Sequence, residues 1–178
     1  MWELQGKALG GAMAASAVWQ WFEADQSDGV LHIYRRGESE AAVDWALPPG
    51  RDGHPGLCGY VRKRGTAGGR DNLALFAVSA GAGIRAQAAQ LREEGEYLRS
   101  HALQSLALET AEALAEWLHA KIRAGWGFPD PEETTMASRF KARYQGKRYS
   151  PGYPACPDLS LQDGFWTLLR PEEVGIEL

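Results

Sequence analysis

The chain has 178 residues, of which 44% are hydrophobic and 24% charged, and its net charge is −4 at pH 7. These properties exclude a nucleic-acid-binding surface, because no basic patch is large enough to follow a phosphate backbone. They also exclude a membrane span, because no apolar run approaches the length of about 20 residues that a span requires. We therefore expect a single cytoplasmic domain over residues 1–178, with neither nucleic acid nor a membrane as partner.

The first part of the chain predicts an antiparallel sheet. Residues 17–22 and 30–34 are rich in aromatic and branched side chains, and the polar run 25–29 between them predicts a hairpin turn. A third strand is predicted over residues 41–47. After a glycine-rich loop at 51–71, the nearly continuous apolar run 72–78 predicts a central strand covered on both faces.

A glycine pattern follows that strand. Gly81, Gly83 and Ala86 match, in outline, the G-x-G-x-x-A pattern of dinucleotide-binding turns. Helix is predicted from there to about residue 123, with no second parallel strand to complete the unit that such a site requires. The pattern therefore favours a structural turn.

The two cysteines, Cys58 and Cys156, are too few for a disulfide scaffold and are not spaced as a redox or zinc pair. His54 lies near Cys58, but no second close pair of metal ligands accompanies them. The sequence predicts free thiols and no metal site.

The longest predicted element is a helix over residues 98–124. An apolar stripe at intervals of three and four residues indicates the face that packs on the core: Leu103, Ala107, Ala111, Leu114, Leu118 and Ile122. Glu112 lies away from that stripe, in a mixed row with Leu108, Ala115 and His119. The pattern leaves two interpretations of Glu112 open, a solvated glutamate and a group lying under a loop.

The last third of the chain predicts short helices around a loop. Asp130 is the expected N-cap of a helix running to about residue 144, and Asp158 that of a helix running to about residue 168. Residues 174–178 suggest the start of another strand. Together these elements predict an α+β fold, in which an antiparallel β-sheet packs with one long and several short helices.

The loop Arg148–Pro157 contains three prolines and one glycine, which rule out helix and interior strand. Such a stiff loop must pair its backbone polar groups elsewhere or offer them to a ligand. Composition alone leaves both a proline-rich connector and a binding loop open.

The residues of this region resemble a known family. The run Y-Q-G-K-R-Y-S-P-G-Y-P-A-C-P at 144–157 is similar to the signature of the activation domain of cobalamin-dependent methionine synthases, and E-A-L-A-E-W-L-H at 112–119 is similar to its helix motif. The likeness spans nearly the whole chain, shortened at both ends. A segment upstream of residues 2–7, which carries a cofactor-contacting aspartate in the family, is absent from the sequence.

The resemblance implies that Glu112, Arg148, the main chain around Ser150, and Tyr153 bind S-adenosylmethionine. It also implies reductive remethylation of cob(II)alamin, with the cobalamin carried by a partner domain of methionine synthase and the electron supplied by flavodoxin or a similar reductase. No catalytic residue is implied, because cobalt is the nucleophile, and the isolated chain is not expected to catalyse a reaction alone.

Two other hypotheses belong to different classes. In the first, the domain docks a corrinoid protein without binding S-adenosylmethionine; Leu108 and Gly59-Tyr60 stand where the family usually has aspartate and Asp-Phe. In the second, the chain is an independent methyltransferase for a small molecule, although no general base accompanies the loop motif.

Overall fold

The computed structural model describes residues 13–49 and 56–177. Within these ranges the regular elements, in chain order, are β1 (Ala15–Ser27), β2 (Val30–Tyr34), β3 (Val43–Ala46), β4 (Asp71–Ala80), α1 (Ile84–Glu93), α2 (Tyr97–Trp126), α3 (Met136–Phe140) and α4 (Gln162–Leu169). Short 3-10 turns occupy Leu57–Tyr60, Leu159–Leu161 and Pro171–Val174. The predicted α+β fold class is confirmed.

The strands form a four-stranded antiparallel sheet in the order β3-β2-β1-β4. The predicted hairpin is β1 and β2, with Ser27 paired to Val30 across a tight turn. Asp28 and Gly29, at φ 51° and 81°, have the positive φ values that a two-residue hairpin turn needs. The predicted turn at 25–29 is therefore too long, because Asp25, Gln26 and Ser27 still pair in the strand.

The chain divides into two compact units. The first draws on the ranges Met1–Val18, Ala77–Lys147 and Glu172–Leu178, and the second on Trp19–Phe76 and Arg148–Pro171. Each unit is built from more than one segment of the sequence.

In the second unit, α4 packs on β3. The rings of Trp45 in β3 and Phe165 in α4 stack with centroids 5.2 Å apart. The core of this unit is formed by buried apolar side chains from β1, β2, β3, α4 and the 3-10 turn before α4: Phe22, Leu31, Ile33, Trp45, Leu161, Leu168 and Leu169. The predicted cap at Asp158 is confirmed, since its carboxylate accepts a hydrogen bond from the Ser160 amide at 2.8 Å.

In the first unit, α1 and α2 pack against each other. The buried Ser100 hydroxyl on α2 donates to the Ala88 carbonyl on α1 at 2.7 Å. Of the predicted apolar stripe, Leu103, Leu118 and Ile122 are buried. The buried surface of α2 also includes polar side chains that the stripe did not predict, namely Ser100, His119 and Arg123.

Three predictions about elements were wrong. The run at 72–78 lies in β4, at an edge of the sheet among the described strands, and in β4 only Leu75 is buried. The helix expected from Asp130 to 144 is the short α3, capped by Thr135, because the Asp130 carboxylate instead accepts hydrogen bonds from Arg123. Val174 ends a 3-10 turn, and residues 175–177 form no strand; Leu178 lies outside the described residues.

Candidate functional site

The loop Arg148–Pro157 is held in a fixed shape by its own backbone. The Gly152 amide donates to the Cys156 carbonyl and the Cys156 amide to the Tyr153 carbonyl, each at 2.8 Å. The segment has no helix and no strand beyond the isolated bridge between Tyr153 and Cys156. The prediction of an irregular loop is confirmed.

Gly152 and Cys156 show why the loop adopts this shape. Gly152 has φ 90°, and a Cβ atom there would lie 3.0 Å from Leu159 Cδ2, so glycine suits both the conformation and the space. Cys156 is buried, and burial raises the pKa of its thiol, with the Asp158 carboxylate adding to the effect. The Cys156 side chain is therefore a neutral group that packs on the buried side of the loop.

The loop turns several polar groups outward. Tyr153 is 62% exposed, Ser150 is exposed and Arg148 is half-buried. Tyr149 stacks on Tyr60 with ring centroids 6.4 Å apart. Burial, then the charge and hydrogen bond of Tyr60, raises the pKa of the Tyr149 phenol, so it stays protonated at neutral pH. Three of the four predicted binding residues thus lie on one ordered loop.

Glu112 lies on α2, in the first unit, whereas Arg148, Ser150 and Tyr153 belong to the second. Its side chain is exposed, as is that of Leu108 one turn earlier, and Glu112 shares a helix face with Glu116, His119 and Arg123. That Glu112 acts together with the loop residues stays a prediction.

The sequence did not predict a cluster of Arg123, Asp130 and Tyr144 at the C-terminal half of α2. Arg123 is 1% exposed and holds Asp130 with two hydrogen bonds from Nη2 of 2.7 Å and one from Nε of 2.9 Å. Its guanidinium carbon lies 3.8 Å from the centre of the Tyr144 ring. The spacing of Glu112, Glu116, His119 and Arg123 on one helix face was the only sequence signal for the cluster.

No group of three or more metal-ligating side chains occurs in the ranges that the structure describes. His54 lies outside them, and Cys58 and Cys156 are free thiols. Across residues 13–49 and 56–177, no helix is long and apolar enough to cross a membrane.

Comparisons with known proteins agree on one family. Residues 8–178 match the sequence model described as "Vitamin B12 dependent methionine synthase, activation domain". The chain is 29% identical over 179 residues to methionine synthase of Mycobacterium leprae (strain TN), an alignment that covers 92% of this chain. It also resembles a solved structure described as the MetH reactivation domain bound to AdoHcy, with a TM-score of 0.86, 25% identity and 99% of this chain covered.

These relatives are longer than this chain. The alignment covers 15% of the mycobacterial methionine synthase and 56% of the solved reactivation-domain chain. The match therefore concerns one domain of a larger enzyme.

Proposed function

Because this chain belongs to the activation domains of vitamin B12 dependent methionine synthase, we propose that it binds S-adenosylmethionine and supports reductive remethylation of cob(II)alamin. The observation that carries the proposal is the loop Arg148–Pro157, which is closed by its own hydrogen bonds while Ser150 and Tyr153 face outward. A stiff loop loses little conformational entropy when a ligand binds.

The chemistry of the proposed site residues fits the ligand. The guanidinium of Arg148 suits the carboxylate of the methionine moiety, which it can hold with paired hydrogen bonds. The carboxylate of Glu112 suits an amino or hydroxyl group, and the Tyr153 phenol offers both a donor and an acceptor. The residue before Pro151 is restricted to extended backbone, which keeps the main chain around Ser150 in a fixed direction for the ligand.

S-adenosylmethionine, when bound, supplies an electrophilic methyl group on sulfur. In this proposal the chain itself contributes binding and orientation, and the corrinoid carried by a partner domain receives the methyl group. One electron from flavodoxin or a similar reductase, together with the methyl group, converts cob(II)alamin to methylcobalamin and leaves S-adenosylhomocysteine. No side chain of this chain is assigned a catalytic role.

Calorimetric titration of the purified chain with S-adenosylmethionine and S-adenosylhomocysteine tests the proposal. We expect the wild type to bind both ligands and Arg148→Ala to weaken binding at least about tenfold, as expected for the loss of a charge-assisted contact. Arg143→Ala, which removes an exposed arginine outside the loop, is the matched control and keeps wild-type affinity.

Further variants separate main-chain from side-chain contacts. Ser150→Ala keeps its affinity if the backbone of residue 150 makes the contact, whereas Glu112→Gln and Tyr153→Ala weaken it. Absence of binding by the wild type would sink the proposal. That result would leave the alternative that the domain docks a corrinoid protein without binding S-adenosylmethionine. This alternative is favoured by Leu108, which is 70% exposed and lies one turn before Glu112.

The remethylation itself is tested with the cobalamin-binding domain of a related methionine synthase in the cob(II)alamin form, a reductase and this chain. The absorption spectrum is expected to change to that of methylcobalamin with the wild type and to change more slowly with Arg148→Ala. Equal rates with and without the chain would refute this part of the proposal.

A further inference from the structure

We propose that Ser27 is an activated nucleophile, held in a triad with His32 and Asp44, and that it accepts acyl groups from small activated esters. The three residues lie in β1, β2 and β3, all within the second unit. None of them belongs to the proposed S-adenosylmethionine site. The inference therefore goes beyond the proposed function and does not depend on it.

The register of the sheet brings the three side chains together. His32 in β2 lies directly opposite Asp44 in β3 and directly opposite Asp25 in β1. Ser27 stands two residues beyond Asp25, so it shares the same face of β1. Side chains that are opposite or diagonal on one face of an antiparallel pair are near enough to interact. Three adjacent strands thus place a serine, a histidine and an aspartate on one face.

Two hydrogen bonds join these side chains in series. His32 Nδ1 lies 2.7 Å from Asp44 Oδ1, and His32 Nε2 lies 2.8 Å from Ser27 Oγ. An ionised carboxylate can only accept, so in the neutral imidazole the proton stands on Nδ1 and Nε2 is the acceptor. The Ser27 hydroxyl therefore donates to His32. This is the arrangement in which a histidine acts as general base toward a serine nucleophile.

The exposure of the three side chains suits these roles. The His32 side chain is 10% exposed, so the imidazole is shielded, whereas Ser27 is half-buried beside the exposed turn residues Asp28 and Gly29. The Asp44 side chain is 60% exposed, and water therefore screens its charge. We expect a slower reaction than in a triad whose aspartate is buried.

The turn after Ser27 offers donors for the charge that develops on a substrate oxygen. The hairpin ladder ends at the pair of Ser27 and Val30, so the amides of Asp28 and Gly29 lie outside it. Within the described ranges, neither amide donates a backbone hydrogen bond. Main-chain N–H groups next to a nucleophile are the usual means of stabilising an oxyanion. The turn therefore supplies the remaining group that acyl transfer requires.

The reaction is an acyl transfer that needs no cofactor. Ser27 Oγ forms a bond to the ester carbonyl carbon while its proton passes to His32 Nε2. The bond from that carbon to the leaving oxygen then breaks, and Nε2 gives the proton to the leaving oxygen, which departs as an alcohol. A water molecule, deprotonated by Nε2, attacks the acyl group in turn and releases a carboxylic acid and free Ser27. Small esters with good leaving groups suit a nucleophile at the tip of a hairpin.

The test uses the full chain and two probes. A fluorophosphonate reacts with activated serines, loses fluoride and leaves a phosphonyl group on Oγ, which peptide mass mapping locates. Hydrolysis of p-nitrophenyl acetate is followed by the absorbance of nitrophenolate. The variants are Ser27→Ala and Asp44→Asn, with Ser39→Ala as the matched control because Ser39 is an exposed serine of the same unit. Circular dichroism and the melting temperature show whether each variant is folded.

We expect the wild type to carry the phosphonyl group on Ser27 and not on Ser39. Ser27→Ala abolishes this labelling and slows ester hydrolysis. Asp44→Asn keeps the size of the side chain but no longer holds the proton on Nδ1, so the rate of labelling at Ser27 falls at least about tenfold. Ser39→Ala is labelled and hydrolyses the ester like the wild type.

Absence of an adduct on Ser27 in the folded wild type would overturn the inference. Labelling of Asp44→Asn at the wild-type rate would do the same, because the hydrogen bonds would then serve only to hold the strands together. Mapping on the wild type compares Ser27 with Ser39 in one molecule, so it decides the question even if neither variant folds. Neither probe involves S-adenosylmethionine, so this inference and the proposed function can fail separately.

Discussion

Gly164 and Trp45 lie so close together that a Cβ atom on Gly164 would stand 2.6 Å from the indole Nε1. The close approach brings the neighbouring Phe165 ring into its stack on Trp45. Helix α4 therefore requires glycine at 164 for packing, although glycine is a poor helix former.

The substitution Gly164→Ala is expected to destabilise the protein. The added methyl group forces the indole or the helix to shift, which costs about 1–3 kcal/mol and exceeds the gain in helix propensity. Gly125→Ala is the control, because Gly125 lies in α2 and a Cβ atom added there would meet nothing within 4 Å. Its free energy of unfolding should rise by about 0.5–1 kcal/mol in urea denaturation. A gain in both variants would contradict the packing argument.

The variant Tyr34→Phe tests a polar cluster around the buried Asp25. The Tyr34 hydroxyl donates to Asp25 Oδ1 at 3.0 Å and accepts from Arg64 Nη2 at 2.5 Å, so its loss leaves the carboxylate under-satisfied. We expect the free energy of unfolding to fall by about 1–3 kcal/mol, while the Arg70 guanidinium keeps its place over the remaining ring. Tyr97→Phe, at an exposed tyrosine, is expected to change the free energy of unfolding by less than about 0.5 kcal/mol.

The cap at Asp158 makes the stability of the protein depend on pH. Hydrogen bonds from Ser160 lower the pKa of its carboxyl below the ordinary 3.8. Because the folded-state pKa is the lower one, the stabilisation is fully present above 3.8 and is lost as the pH falls through the folded-state value. The difference in free energy of unfolding between the wild type and Asp158→Asn should therefore be constant near neutral pH. In acid, the wild type should lose stability relative to Asp158→Asn. A difference that moves in favour of the wild type in acid would contradict this assignment.

The sequence was sufficient to predict elements whose signals are local. The hairpin, the long helix and the cap at Asp158 each depend on residues within a few positions of one another, so periodicity and capping rules locate them. The loop Arg148–Pro157 was predictable for the same reason, since proline fixes the backbone regardless of its surroundings.

The predictions failed where two partners compete for one side chain, or where the outcome depends on neighbours outside the segment itself. Asp130 has the sequence of a helix cap, but the guanidinium of Arg123 takes its carboxylate, and Thr135 caps the helix instead. The apolar run of β4 gives no information about how many neighbours that strand has, so its edge position was not predictable.

Each compact unit is assembled from segments that are not consecutive in the sequence, so the chain passes from one unit to the other more than once. Any single cut between residues 19 and 171 removes part of both units from what remains. Neither fragment produced by recombination or proteolysis within that interval would therefore contain a complete unit.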